Sequence, residues 1–475
     1  MNVLLITPDQ MRADAMGCSG HPIVRTPHLD RLAGEGIRYE QCHVHNWVCA
    51  PSRATIVTGA HPSVHGVLFN DMTTDLRLET VPELFRRAGY RTGHVGKWHH
   101  YPKGEAFGFE TILAHDGYRE YLAAQGIDPA LGEEYPADWT KQFSTWVSPI
   151  PEAHYLTVYE TDQAIAYLDE PSEKPFFLWL SYEKPHPPYN PPASYAGMYE
   201  PAAMPLPAGW DGLQPGAAPH KQADSAEHWR TGVRPAEMTD TDIQLATAHY
   251  YASISLVDAQ IGRLLAHLEQ RGWMKDTMIV FTSDHGEMMG DHRLLNKGPY
   301  PYDALTHVPL IIYNPRLPQE RRGTVEGRLV GQEDAVATLL DAAKLDPAPH
   351  MTGRSLLAAL EREGEIVPGV SGHHYGPHYN VNIRTWRTED YRYTLYHYAD
   401  EASGAELAEE LYDLRADPSE RYNVIGDDSY AAVASRMRRE LIADTMRREQ
   451  VKPEVREIRE RFASAGGRGI GKTFG

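Results

Sequence analysis

Short apolar runs of β type alternate with longer stretches of helical period through most of this chain. Val3–Thr7, Ile37–His43, Arg91–Val95, Phe176–Ser181, Met278–Thr282 and Val308–Tyr313 read as strands. Pro27–Ala33, Val81–Ala88, Thr157–Leu168, Asp240–Gln270 and Glu333–Ala343 read as the helices between them. This alternation predicts an α/β fold, a large mixed and mostly parallel sheet sandwiched by helices. Ligands of such sheets bind beyond the carboxyl ends of the strands. Asp9, Lys97, His186 and Asp284 each fall just past the end of a predicted strand.

The pattern breaks in two places. Residues 101–151 and 199–239 are rich in Pro, Gly and Ala and read as long surface insertions of the kind that form rims and lids. After residue 364 the texture changes to short strands at Tyr391–Tyr396 and Leu411–Leu414 and a charged amphipathic helix from Tyr430 to about Arg447. Residues 1–364 therefore read as the catalytic α/β domain, and 365–475 as a smaller C-terminal α+β domain with a tail. The glycine-rich tail Ala465–Gly475 has little to pack against and suits an arm held by a second subunit of a homo-oligomer.

Composition narrows the function. A net charge of −19 argues against nucleic acid as a partner and requires that any site for an anion be locally positive. No apolar run is long enough to span a membrane. The chain enters its first strand at Asn2 without a basic leader, and its three cysteines (Cys18, Cys42, Cys49) do not make a disulfide framework. Both features point to the cytoplasm.

The most informative run is Cys49-Ala50-Pro51-Ser52-Arg53-Ala54-Thr55-Ile56-Val57-Thr58-Gly59. Pro51 suits the first turn of a short helix. Cys49 is expected just before that helix, where free N–H groups favour an anion. Arg53, four residues on, is expected to fold back toward the same point.

This run resembles the Cys-x-Pro-Ser-Arg signature of the sulfatase family, formylglycine-dependent members of the alkaline phosphatase superfamily. A second run, Gly93-His94-Val95-Gly96-Lys97-Trp98-His99, resembles the family's other signature, a strand ending in Gly-Lys-x-His. Asp9, the Lys-Pro-His-Pro-Pro-Tyr run around His186, Ser283-Asp284-His285-Gly286-Glu287, Lys297 and Leu411-Tyr412-Asp413-Leu414 extend the resemblance over essentially the whole chain.

The resemblance implies a sulfatase that cleaves a small sulfate monoester to an alcohol and inorganic sulfate. Cys49 would be oxidised to formylglycine by a formylglycine-generating enzyme. A divalent metal would be held by Asp9, Asp284, His285 and the residue at 49. Arg53 would stabilise the diolate, Lys97 and Lys297 would hold sulfate oxygens, His99 would act as base and His186 would protonate the leaving oxygen.

The chain departs from the commonest family pattern in carrying Asp9-Gln10 and Asp284-His285 where many members have Asp-Asp and Asp-Asn. In this it is similar to the branch with choline sulfatases and phosphonate monoester hydrolases. An imidazole ligand shifts metal preference toward manganese or zinc, with calcium as the alternative. Gln10 is either a weak ligand or a residue behind the ligands. The rival reading is a phosphonate monoester or phosphodiester hydrolase of the same superfamily, a branch read as lacking the Gly-Lys-Trp-His run. Trp47 is either a leaving-group contact or core. The surplus histidines, among them His373, His374 and His378, are expected to line the substrate mouth or cap loops.

Overall fold

Strand β1 (Asn2–Asp9) runs through the middle of an eight-stranded sheet in the computed structural model, which describes residues 1–132, 143, 145–214, 216–229, 231–357, 368–399, 407–455 and 457. The other strands are β2 (Ile37–His43), β3 (Arg91–Gly96), β4 (Thr111–Leu113), β5 (Phe176–Pro185), β6 (Thr277–Thr282), β7 (His307–Tyr313) and β8 (Thr324–Gly331). Their order is β4-β3-β5-β1-β6-β7-β2-β8, and only β7 runs antiparallel to its neighbours. The mixed, mostly parallel sheet predicted from the sequence is therefore present.

The period of two along β1 sorts its side chains onto two cores. Leu4 and Ile6 pack with Ile254, Ile261 and Leu264 of the long helix Asp240–Gln270 on one face. Val3 and Leu5 pack with Ile56 and Val57 of the helix Cys49–Thr58 and with Val336 and Leu339 of the helix Gln332–Ala342 on the other. With both faces covered, the strand reads as a continuous apolar run.

A second, four-stranded antiparallel sheet follows, in the order β12-β11-β10-β9. Its strands are β9 (Val370–Gly376), β10 (Val381–Arg387), β11 (Tyr391–Tyr398) and β12 (Leu407–Asp413). The helix Ala431–Glu449 lays Ala434, Met437 and Leu441 onto Trp386, Tyr393 and Leu411 of this sheet. The proposed division at 364/365 and the tail Ala465–Gly475 lie outside the described residues.

Two expectations are corrected. The segment 199–239 is more than a surface insertion: its helix Pro219–Ala226 buries His220, Lys221 and Asp224. Lys221 Nζ reaches Glu410 of β12 at 2.6 Å and Tyr302 Oη at 2.8 Å, so a buried ion pair binds the segment to the C-terminal sheet. The segment 101–151 likewise contributes the edge strand β4 and the helix Tyr118–Ala124, and it buries Phe107, Phe109 and Leu122.

Candidate active site

Four neighbouring parallel strands, β3, β5, β1 and β6, end on one side of the sheet, and the chain places Lys97, His186, Asp9 and Asp284 at or just past those ends. Gly96 makes the turn into Lys97 with φ of 93°, and a Cβ there would stand 2.0 Å from the Ser181 carbonyl oxygen. Only glycine fits both constraints.

Cys49 enters from the opposite direction. The structure puts it inside the first turn of the helix Cys49–Thr58, with Val48 as the capping residue, rather than just before the helix. The reason is local: Ala50 N–H donates to Asn70 Oδ1 at 3.0 Å and Ser52 N–H to Val48 O at 3.2 Å, so the turn closes one residue early. Gly59, at φ of 61°, ends the helix.

The Cys49 sulfur lies 3.2 Å from His285 Nε2 and 3.8 Å from Asp9 Oδ1. Ligand atoms of Asp9, Cys49, Asp284 and His285 all lie within 4.8 Å of one another, and all four residues are buried. His285 Nδ1 donates to the Gly286 carbonyl at 2.8 Å, which leaves the Nε2 lone pair facing the cluster, the tautomer a metal ligand needs. Asp284 is pushed up by burial and by the neighbouring charge of Asp9, a repulsion that a cation between them would relieve. The donor set therefore fits a divalent metal.

Arg53 folds back toward the cluster around Cys49, as expected. Its donors go to the carboxylates and to the strand ends: Nε to Asp284 Oδ2 at 3.0 Å, Nη2 to Asp9 Oδ2 at 3.4 Å, and Nη1 to Ser181 Oγ at 2.6 Å and Lys97 O at 2.8 Å. It fixes the outer oxygens of both carboxylates and leaves Asp9 Oδ1 facing the cluster. The Gln10 side-chain amide donates to Glu287 and accepts from Lys297.

Three cations, Arg53, Lys97 and Lys297, are gathered here with the carboxylates of Asp9, Asp284 and Glu183. Burial pushes the Cys49 thiol up, but Lys297 and Lys97 hold it well below the usual thiol range. Burial, with Lys297 and Lys97, lowers His186 to about 4, so the ring is neutral at pH 7 in the free protein. Lys97 is held between Asp9 Oδ2 at 2.5 Å and Glu183 Oε1 at 3.2 Å.

His99 follows Lys97 with φ of 48°, and its Nδ1 is buried without a hydrogen-bond partner. Among the described residues no hydrogen bond joins it to Cys49. Trp47 belongs to the core: it is fully buried, and Nε1 donates to Gly298 O at 2.8 Å. His374 and His378 line a cavity that also reaches His186 and Lys297, whereas His373 points away from it on the other face of β9.

Glu183 was not singled out from the sequence. It lies 3.5 Å from His186 Nδ1 and 3.8 Å from His115 Nδ1, and these rings with Lys97 outweigh burial and bring it down to about 2. A glutamate at the carboxyl end of an otherwise apolar strand was the available signal.

The sulfatase family model matches residues 1–345, and the model for the C-terminal part of N-sulphoglucosamine sulphohydrolase matches residues 290–447. An arylsulfatase from Clostridium perfringens is 31% identical over 94% of this chain and 95% of its own length. A multifunctional alkaline phosphatase superfamily protein from Trinickia caryophylli is 31% identical over 91% of this chain and 92% of its own. Among solved structures, the phosphonate monoester hydrolase of Agrobacterium radiobacter superposes with a TM-score of 0.80 at 26% identity, covering 94% of this chain and 96% of that one.

Proposed function

The chain belongs to the sulfatase family, and from that premise we propose that it hydrolyses a sulfate monoester through a formylglycine formed from Cys49, assisted by a divalent metal. Sulfuric ester hydrolysis is the activity its homologues carry in their names. The observation that supports the finer reading is the position of the Cys49 sulfur, 3.2 Å from His285 Nε2 and buried among two carboxylates and two lysines.

A formylglycine hydrate at position 49 would supply the attacking oxygen and then a second hydroxyl for eliminating sulfate, and the metal would offset charge on the sulfate oxygens. Asp9, Asp284, His285 and the residue at 49 would hold it. Manganese or zinc suits the imidazole better than calcium does.

The other residues act on the anion and its protons. Lys97 and Lys297 draw sulfate toward residue 49 and balance its oxygens as charge shifts. Arg53 keeps Asp9 and Asp284 aimed at the centre. His186 donates a proton to the leaving oxygen. The negative charge of bound sulfate opposes the two lysines and raises the proton affinity of the ring from its low value in the free protein. His99 takes the proton from residue 49 in the second step, a role supported by its unpartnered Nδ1.

The likeness to the phosphonate monoester hydrolase favours a second reading, cleavage of phosphonate monoesters or phosphate diesters at the same centre. Protein from a host with the modifying enzyme should yield a Cys49 peptide with the mass of the aldehyde. It should release sulfate from sulfate esters faster than it cleaves a phosphonate monoester or a phosphate diester. Full activity with unmodified cysteine would end the formylglycine reading, and faster phosphonate cleavage would put the second reading first.

A further inference from the structure

The run Lys184-Pro185-His186-Pro187-Pro188-Tyr189-Asn190 ends β5 and carries His186 into the site. Three of these seven residues are prolines, which have no N–H to donate. Such a run cannot tie down its own carbonyls as a helix or a strand does, and carbonyls taken out of water need donors. The His186 N–H reaches back to Glu183 O at 3.1 Å, and the Asn190 N–H reaches Pro188 O at 3.0 Å.

One buried side chain supplies the missing donors. Lys184 is 5% exposed and turns its ammonium onto its own run. Nζ donates to Pro188 O at 2.6 Å, to Asn190 Oδ1 at 2.7 Å and to His186 O at 3.4 Å. An ammonium has three donors, and each has an acceptor here. None of the three acceptors is a carboxylate, so these bonds serve the loop rather than a counter-charge. Tyr155 Oη donates to Asn190 O at 3.0 Å and anchors the far end.

The path from this ammonium to the reacting proton is short. His186 Nδ1 donates to the Pro187 carbonyl at 2.6 Å, which fixes the tautomer and leaves Nε2 as the nitrogen that takes up and gives the mobile proton. Pro187 stands between the two backbone carbonyls that Lys184 grips, those of His186 and Pro188. The outer side of the loop is open. Pro187 and Pro188 line the cavity into which the rest of an ester would project from residue 49, together with Trp229 of the segment 199–239 and Tyr379 of the turn after β9. Asp224 Oδ1 joins those two walls, accepting from Tyr379 Oη at 2.7 Å and from the Trp229 N–H at 3.1 Å.

Resting on the sulfatase reading above, in which His186 protonates the leaving oxygen, we propose that Lys184 is a positioning residue for that step: its ammonium stands in for the N–H donors the prolines lack and holds His186 on the line to the leaving oxygen.

The test uses two aryl sulfates whose leaving groups differ in their need for a proton. 4-Nitrophenol leaves readily as its anion, whereas phenol is a much weaker acid and gains more from protonation in the transition state. Lys184→Met keeps the length of the side chain and removes the donors. It should lower kcat/KM for phenyl sulfate about tenfold more than for 4-nitrophenyl sulfate. Loss of folded protein lowers both rates alike and cancels in this ratio, so a merely structural role leaves the ratio unmoved. His186→Ala should skew the ratio in the same direction. The double variant Lys184→Met/His186→Ala should skew it no further than His186→Ala alone, because the lysine acts through the imidazole. Lys184→Arg keeps charge and donors and should restore part of the ratio. Asn190→Ala removes one of the three acceptors and should give a skew of about threefold, which covers the case in which Lys184→Met does not fold. An unskewed ratio in Lys184→Met or in Asn190→Ala, or a skew that adds to that of His186→Ala, would overturn the proposal. If no sulfate ester turns over but phenyl and 4-nitrophenyl phosphonate monoesters do, the sulfatase reading fails alone, and the same ratio measured on the phosphonates decides Lys184.

Discussion

Arg53 Nε lies 3.0 Å from Asp284 Oδ2 at a point where neither side chain meets solvent. The guanidinium is the buried counter-charge that lets two carboxylates stand side by side, and its further bonds to Ser181 and Lys97 tie them to two strand ends.

Removing that counter-charge should therefore cost stability as well as activity. Arg53→Ala is expected to lose about 3–5 kcal/mol in denaturant unfolding, the usual scale for breaking a buried pair. Arg53→Lys keeps a charge but replaces a planar fork with a point donor, and should recover only part of the loss. An Arg53→Ala protein as stable as wild type would mean that the carboxylates find another partner.

Metal dependence follows from the ligand geometry. Chelation should abolish turnover, and Asp9→Asn or Asp284→Asn should lower both bound metal and rate. Elemental analysis is expected to find manganese or zinc. Calcium alone would refute the preference drawn from His285, and undiminished activity in metal-free protein would remove the cation from the chemistry.

Lys97 and His99 should fail at different steps. Losing a donor that balances sulfate oxygens typically costs ~2.7–4 kcal/mol, or about a hundredfold to a thousandfold in kcat. Lys97→Ala with an aryl sulfate should thus be slow and show no burst. His99→Ala should show a burst and a covalent sulfate by intact mass, because the second step lacks its base. Wild-type turnover by both variants would make the Gly-Lys-Trp-His run structural and favour the phosphonate reading.

Asp224 gives a pH signature in stability. Burial raises it from the ordinary 3.8 to about 6, so the native state holds its proton more tightly than the unfolded chain. The associated stability is fully present below about pH 4 and is lost as the pH rises through about 6. Asn at this position does not titrate. Asp224→Asn should accordingly gain on wild type between pH 4 and pH 7, by at most about 3 kcal/mol at 1.36 kcal/mol per unit. Paired urea titrations across that range read the difference, and a difference independent of pH would contradict it.

The sequence reached the reactive half of the site more easily than the substrate half, for a physical reason. Asp9, Lys97, His186 and Asp284 each end an apolar run in a parallel sheet and each falls in a motif of the family, so strand position and motif together found them. The buried strands were legible for the same reason. β8 was missed because its first five residues are only partly buried or exposed at the sheet edge, and Glu326, Gly327 and Arg328 hide the strand character. β9 was missed because Ser371, Gly372, His373 and His374 are polar or small yet buried. Asp224 and Lys221 carry no local signal, since each acquires its role from partners in other segments: Tyr379 and Glu410.

The buried bond from Lys221 to Glu410 has a consequence for assembly in time. Every strand that presents the charged centre has been synthesised by Tyr313 at the end of β7. The helix Pro219–Ala226 cannot take its final seat until β12 arrives almost a hundred residues later to neutralise the lysine. A nascent chain therefore has the parts for binding an anion well before it has a place for the rest of the substrate. Discrimination among esters is the last property the protein acquires, and a premature stop between Tyr313 and Glu410 would remove it while sparing the reactive strands.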